Sequence, residues 1–142
     1  MGWEVAFDGT YTSGAPLSIP ASTRTLMECD GTAPNSNNTY LPTGVTQLWD
    51  AVNDKIVSDN VGNAFEVRVQ FIADPGAAQT SSLDIEFDIG TGGSPVVIAG
   101  RTINASKGAQ PFVVSIAIPL FSLATFVANG CKAYINLSLI HI

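Results

Sequence analysis

The sequence predicts an all-β fold, an antiparallel sandwich or jelly roll, on three observations. Helix signals are almost absent, because Gly, Pro or Asn interrupts every stretch that begins an i, i+3, i+4, i+7 apolar pattern. Period-two alternation recurs instead, most cleanly in two runs. In one, Phe65, Val67, Val69 and Phe71 alternate with Glu66, Arg68, Gln70 and Ile72; in the other, Leu83, Ile85, Phe87 and Ile89 alternate with Asp84, Glu86 and Asp88. Such runs bury one face and hydrate the other. Finally, turn residues separate short apolar runs at regular spacing, the signature of a sandwich or roll rather than of βαβ units.

The elements follow in order. Trp3 to Phe7 reads as an opening strand stopped by Asp8-Gly9, with Thr10 to Thr12 after it. Thr23 to Cys29 is a second strand, closed by Asp30-Gly31. Ala33 to Thr39, rich in Asn and Ser, is a surface loop. Leu48 to Val52 and Ile56-Val57 flank an Asn53-Asp54 turn. The two alternating runs come next, with Asp74-Pro75-Gly76 as the turn between them. Pro95 to Ala99, Phe112 to Ile118, Leu120 to Phe126 and Lys132 to Ile135 complete the strands, separated by Gly90 to Ser94 and Asn129-Gly130. Gly108 to Cys131 carries enough uncharged sequence to raise a membrane span, but Pro111 and Pro119 break it. Val113, Val114, Ile116 and Ile118 also favour strands, so the segment is read as a buried hairpin without membrane insertion.

Composition bounds the function. The 142 residues fit one domain, and 46% hydrophobic residues supply a core. Charged residues make up only 13%, about half the usual share. A surface that poor in charge implies that part of it is also covered, most simply by further copies of the chain. The net charge is −6 and the six Lys and Arg residues are scattered singly, so the basic footprint that a nucleic acid needs is missing. No basic n-region precedes an apolar stretch at Met1-Gly2-Trp3-Glu4, and no signal peptide is expected.

Chemistry finds little purchase. The lone histidine is His141, which disfavours Ser-His-Asp and Cys-His catalysis and histidine metal sites. Cys29 and Cys131 make no disulfide framework and show no metal-ligand spacing, and Cys131 beside Lys132 is read as packing rather than as a nucleophile. Asp84, Glu86 and Asp88 share one strand face with successive carboxylates about 7 Å apart. That stripe is read as a solvated outer face, the alternative being a hard-cation site. Gly90-Thr91-Gly92-Gly93-Ser94 lacks the helix and lysine of a phosphate loop and is read as a flexible turn. Tyr11 and Tyr40, on loops, are candidate ligand contacts by stacking on sugars. No catalytic residue, cofactor or metal ligand is assigned.

A resemblance adds to these readings. Leu41-Pro42-Thr43-Gly44-Val45 through Trp49-Asp50, Asn53-Asp54-Lys55-Ile56, and Gly62-Asn63-Ala64-Phe65-Glu66-Val67-Arg68-Val69 resemble the small TNF/C1q-like jelly-roll domains of tailed-bacteriophage structural proteins. Thr125-Phe126-Val127-Ala128-Asn129-Gly130 resembles the stretch before that class's last strands. The resemblance implies a single jelly-roll domain over residues 1–142 and a homotrimer packed through apolar and aromatic strand faces. It also implies a non-enzymatic role in the virion, assembled in the host cytoplasm, as capsid decoration or as a head- or tail-fibre knob. The implied partners are further copies of the chain, other virion proteins and a host-surface glycan or receptor.

Candidate interface residues are the aromatics that one sandwich cannot all absorb: Trp49, Phe112, Phe121 and Phe126. A carbohydrate-binding, lectin-like module is the rival reading, with Tyr11 and Tyr40 as its contacts. The chain departs from the family pattern at its end, where Leu137-Ser138-Leu139-Ile140-His141-Ile142 resembles a translated library-adapter sequence. The expectation is that native sequence runs to about Asn136 and that the last strand is cut short.

Overall fold

The computed structural model describes residues 2–6, 8–31, 37–74, 81–91, 93–105 and 110–139. Among the described residues, eight strands and one short helix follow in chain order: β1 (Arg24–Leu26), β2 (Trp49–Asp50), β3 (Lys55–Ile56), β4 (Ala64–Ala73), β5 (Ser81–Asp88), β6 (Val97–Ala105), β7 (Phe112–Phe121), α1 (Ala124–Asn129) and β8 (Lys132–Leu139). Every strand pairing is antiparallel. The main sheet runs β1-β8-β5-β6, while β4 pairs with β7 in a second, two-stranded layer and β2 with β3 in a small ribbon.

The pairings are nested. β1 meets β8, β4 meets β7 and β5 meets β6, so the chain folds like one long hairpin doubled back on itself. Alternation explains why these strands bury what they do. Leu83, Ile85 and Phe87 from β5 and Ala133 and Ile135 from β8 share the inner face of the main sheet. Val114, Ile118 and Leu120 of β7 form the facing layer of the core, with Phe65, Val67, Val69 and Phe71 of β4 half-buried around it. Each large apolar side chain removed from water contributes about 1.5–3 kcal/mol. The β4–β7 layer is only two strands wide, so it covers the four-stranded sheet incompletely.

Several sequence expectations need correction. The proposed hairpin over Phe112–Phe126 is one strand and a helix: β7 runs straight through Pro119, which stands opposite Glu66. Proline is tolerated because, among the described residues, β7 pairs with a strand on one side only, leaving an open edge for the position that lacks an N–H. After it, Ala124–Asn129 is helical. Gly130, at φ 78°, closes the helix by donating its N–H to the Phe126 carbonyl at 2.7 Å. The opening strand shrinks to a bridge between Val5 and Asn37, and Thr10–Thr12 to a bridge between Thr12 and Ala15.

The last strand, β8, spans Lys132–Leu139 and so includes the first three residues of the adapter-like segment. β8 continues to Leu139, with Leu137 opposite Leu83 and Leu139 opposite Ser81, and it lies between β1 and β5 rather than at an edge. Phe7, positions 33–36 of the Asn- and Ser-rich loop, the Pro75-Gly76 turn, Gly92 and His141 lie outside the described residues. Among the described residues no helix is long and apolar enough to cross a membrane.

Candidate functional site

The acidic stripe of β5 organises one whole face of the main sheet. Asp84, Glu86 and Asp88 point away from the core, and the strand beyond β8 brings them a counter-ion. Arg24 of β1 lays its guanidinium over the Tyr134 ring, 3.8 Å from the centroid. From there it reaches across β8 to donate Nε to Glu86 at 2.9 Å and Nη1 to Asp88 at 2.8 Å. Such charge-assisted bonds are the strong ones, and the aromatic face adds a cation–π attraction. Asp84 accepts the Thr102 hydroxyl at 2.5 Å.

The solvated-face expectation therefore fails at Asp88, whose side chain is only 7% exposed. Burial by itself would raise the Asp88 pKa. The N–H groups of Gly90 and Val96, each 2.7 Å from Oδ1, and then Arg24 outweigh that penalty and hold the carboxyl below its ordinary value. Asp88 is thus favoured as the carboxylate, and its two amide bonds fix the loop between β5 and β6. Gly90 is required in that loop, because a Cβ there would stand 2.1 Å from the Ser94 carbonyl oxygen. The cation reading of the stripe gains no support: Arg24 already occupies two of the three carboxylates, and no cluster of metal-ligating side chains forms among the described residues.

The four aromatic interface candidates separate. Phe121 is 62% exposed at the end of β7, whereas Phe126 is fully buried, the one buried residue of α1, with its ring 5.8 Å from that of Phe65. Phe126 is a core residue and not an interface residue. Its place on a helix rather than a strand turns it inward. Trp49 is half-buried and donates its indole N–H to the Cys29 carbonyl at 2.7 Å; Phe112 is half-buried against the core. The structure adds two apolar groups that pattern reasoning passed over. Ile72 and Val113 are register partners on the outer face of the β4–β7 layer, 71% and 61% exposed. Val61 and Leu123 lie exposed near Phe121, where Gly62 and Asn63 pair with Ser122. Ile72 counted as an outward residue of an alternating strand, and only the register shows its apolar neighbour.

The two tyrosines do not converge. Tyr11 donates its hydroxyl to Glu28 at 2.6 Å, and this bond, with the carboxylate's charge, pushes its pKa up to about 12. Tyr40 is exposed and stacks on Trp3, centroids 4.6 Å apart. Cys131 is buried, and desolvation followed by the charge of Asp88 pushes its thiol up to about 12, the opposite of an activated nucleophile.

No protein-family model matches the chain, and neither a curated protein nor a solved structure does.

Proposed function

We propose that the chain is a non-enzymatic structural domain of a bacteriophage virion, a homotrimeric capsid-decoration protein or fibre knob that acts through symmetry and burial. The observation carrying this reading is the uncovered apolar surface of the β4–β7 layer. Ile72 and Val113 lie side by side at one end, and Phe121, Leu123 and Val61 lie at the other. Exposed apolar clusters of this kind mark interaction surfaces; between the two, the outer face carries the exposed Glu66–Arg68 ion pair and Gln70. Further copies of the chain are the occupant the reading commits to. The Arg24 clamp leaves the opposite, charged sheet face to water and other partners.

The nested pairing supports the finer fold reading. An eight-stranded jelly roll pairs its first strand with its last and works inward, and the orders β1-β8-β5-β6 and β4-β7 follow that scheme for three of its four pairs. The fourth has no counterpart among the described residues, where 89–96 connects β5 directly to β6. Contact with other virion proteins and with a host-surface receptor belongs to the same proposal, as does assembly in the host cytoplasm.

Sedimentation velocity on the intact chain tests it. A trimer that falls to monomer in Phe121→Asp, with unchanged circular dichroism, is the expected result; a monomeric wild-type chain removes the proposal. The lectin-like rival rests on the exposed Trp3–Tyr40 stack. It gains if Tyr40→Ala abolishes binding on a glycan array.

A further inference from the structure

A polar cleft of about 320 Å³ opens beside the Asp88 anchor, lined by Asn53, Lys55, Gly90, Thr91, Asn129, Lys132 and Tyr134. Three separate parts of the chain build it: the β2–β3 turn, the end of β5, and the junction of α1 with β8. Their relative placement is fixed by bonds described residue by residue. Asn129 donates its side-chain N–H to the Ile89 carbonyl at 2.9 Å, and Lys55 donates Nζ to the Asn129 carbonyl at 3.1 Å. Gly130 lets the Lys55 stem pass, since a Cβ there would stand 2.6 Å from Lys55 Cδ.

The charge of this lining runs against that of the chain. Net charge is −6, with six Lys and Arg in all, yet the cleft holds two lysines and no carboxylate. Two carboxylates border the cleft: Asp50 accepts the Asn53 side-chain N–H at 2.7 Å, and Asp88, opposite Lys132 in register, has turned its oxygens to Arg24 and the loop amides. The Lys132 ammonium has no ion-pair or hydrogen-bond partner among the described residues. Two ammonium groups in one open cleft attract an anion.

The remaining lining groups narrow the anion's chemistry. Asn53 gives a side-chain N–H to Asp50 at 2.7 Å and Asn129 gives one to Ile89, so both carboxamide oxygens remain as acceptors. The Thr91 and Tyr134 hydroxyls can donate or accept. Each carboxamide thus keeps its acceptor oxygen and one N–H, a pairing that suits the hydroxyl groups of a sugar. The volume lies at the low end of small-molecule sites, about 300–1,000 Å³, which limits the occupant to a group of monosaccharide size. We propose that this cleft binds an acidic sugar, its carboxylate on Lys132 and Lys55 and its hydroxyls on Asn53, Asn129, Thr91 and Tyr134. The site is separate from the apolar surface of the β4–β7 layer and does not depend on the assembly proposed for it.

Isothermal titration and saturation-transfer NMR on the intact chain test the proposal, with sodium glucuronate and N-acetylneuraminate as probes and glucose and sulfate as controls. The expected result is binding of at least one acidic sugar, at least tenfold tighter than glucose or sulfate. That binding should weaken at least tenfold in Lys132→Gln and in Lys55→Gln while the unfolding midpoint of Lys132→Gln stays within a few degrees of wild type. Equal affinity for glucose, displacement by sulfate at matching concentration, unchanged affinity in Lys132→Gln, or no binding of either acid each overturns it. Sedimentation of the same samples is recorded alongside, so loss of ligand and loss of assembly are read as separate results.

Discussion

Arg24 and Asp88 stand 64 residues apart in the chain and meet at 2.8 Å, the guanidinium reaching over β8 to a carboxylate almost sealed from water. No backbone ladder joins their two strands, so this contact and the Glu86 bond tie β1 to β5 directly. Removing one partner of such a pair strands the other. Arg24→Met is therefore expected to cost about 2–4 kcal/mol, somewhat below the figure for a fully buried pair because the arginine is partly exposed. Urea denaturation measures it. The double variant Arg24→Met/Asp88→Asn should cost less than the sum of the singles, since no uncompensated charge remains.

The same carboxylate sets the acid limit of stability. The folded pKa of Asp88 is depressed, so as pH falls the unfolded chain takes up this proton first, at about pH 4. Stability then falls with falling pH. The contribution is complete above the unfolded value and drains away below it, through the folded pKa. Thermal unfolding between pH 7 and pH 2.5 should show the midpoint of wild type dropping below about pH 4. Asp88→Asn should start lower and fall less steeply, and equal slopes in the two proteins would remove Asp88 from the account.

How far the sequence reading reached depends on the range of the interactions involved. Phe65–Phe71 and Leu83–Ile89 were legible as strands because alternation is local, and β4 and β5 stand where it put them. The stripe Asp84, Glu86, Asp88 was legible as one face for the same reason. Its counter-ion was not, because Arg24 reaches it only through a register between β1, β8 and β5 that no local pattern encodes. The cleft lysines were hidden likewise, arriving from β3 and β8. α1 was missed because six residues are too short to display a helical period. Asn129-Gly130, read as a turn, was its C-terminal signal.

Phe121 and Phe126 show what that missed helix costs in interpretation. Only four residues of chain lie between one that faces solvent and one that touches no water. Phe126→Ala is expected to destabilise the fold by about 3–5 kcal/mol through the cavity it leaves. At equal folded fraction it should leave the sedimentation coefficient unaltered. Phe121→Asp is expected to do the reverse, altering assembly while leaving the urea midpoint of the protomer near that of wild type.

The loop held by Asp88 offers the most local test of the architecture. Asp88 Oδ1 accepts the N–H of Gly90 and of Val96, and this pinch brings the Ser94 carbonyl over Gly90 Cα. A methyl group at Gly90 meets that oxygen at 2.1 Å, Val96 N at 2.8 Å and the Asp88 carboxylate at 3.0 Å. Two of the three are backbone atoms, so no side chain can swing aside to relieve the contact. Gly90→Ala is thus expected to cost about 1–3 kcal/mol, the range for overpacking a filled site. It should also open the 89–96 connection. Amide exchange of Val96 should then quicken at least tenfold relative to the β5 core amides of Ile85 and Phe87. Unchanged protection at Val96 would mean that the loop is held by something other than Asp88.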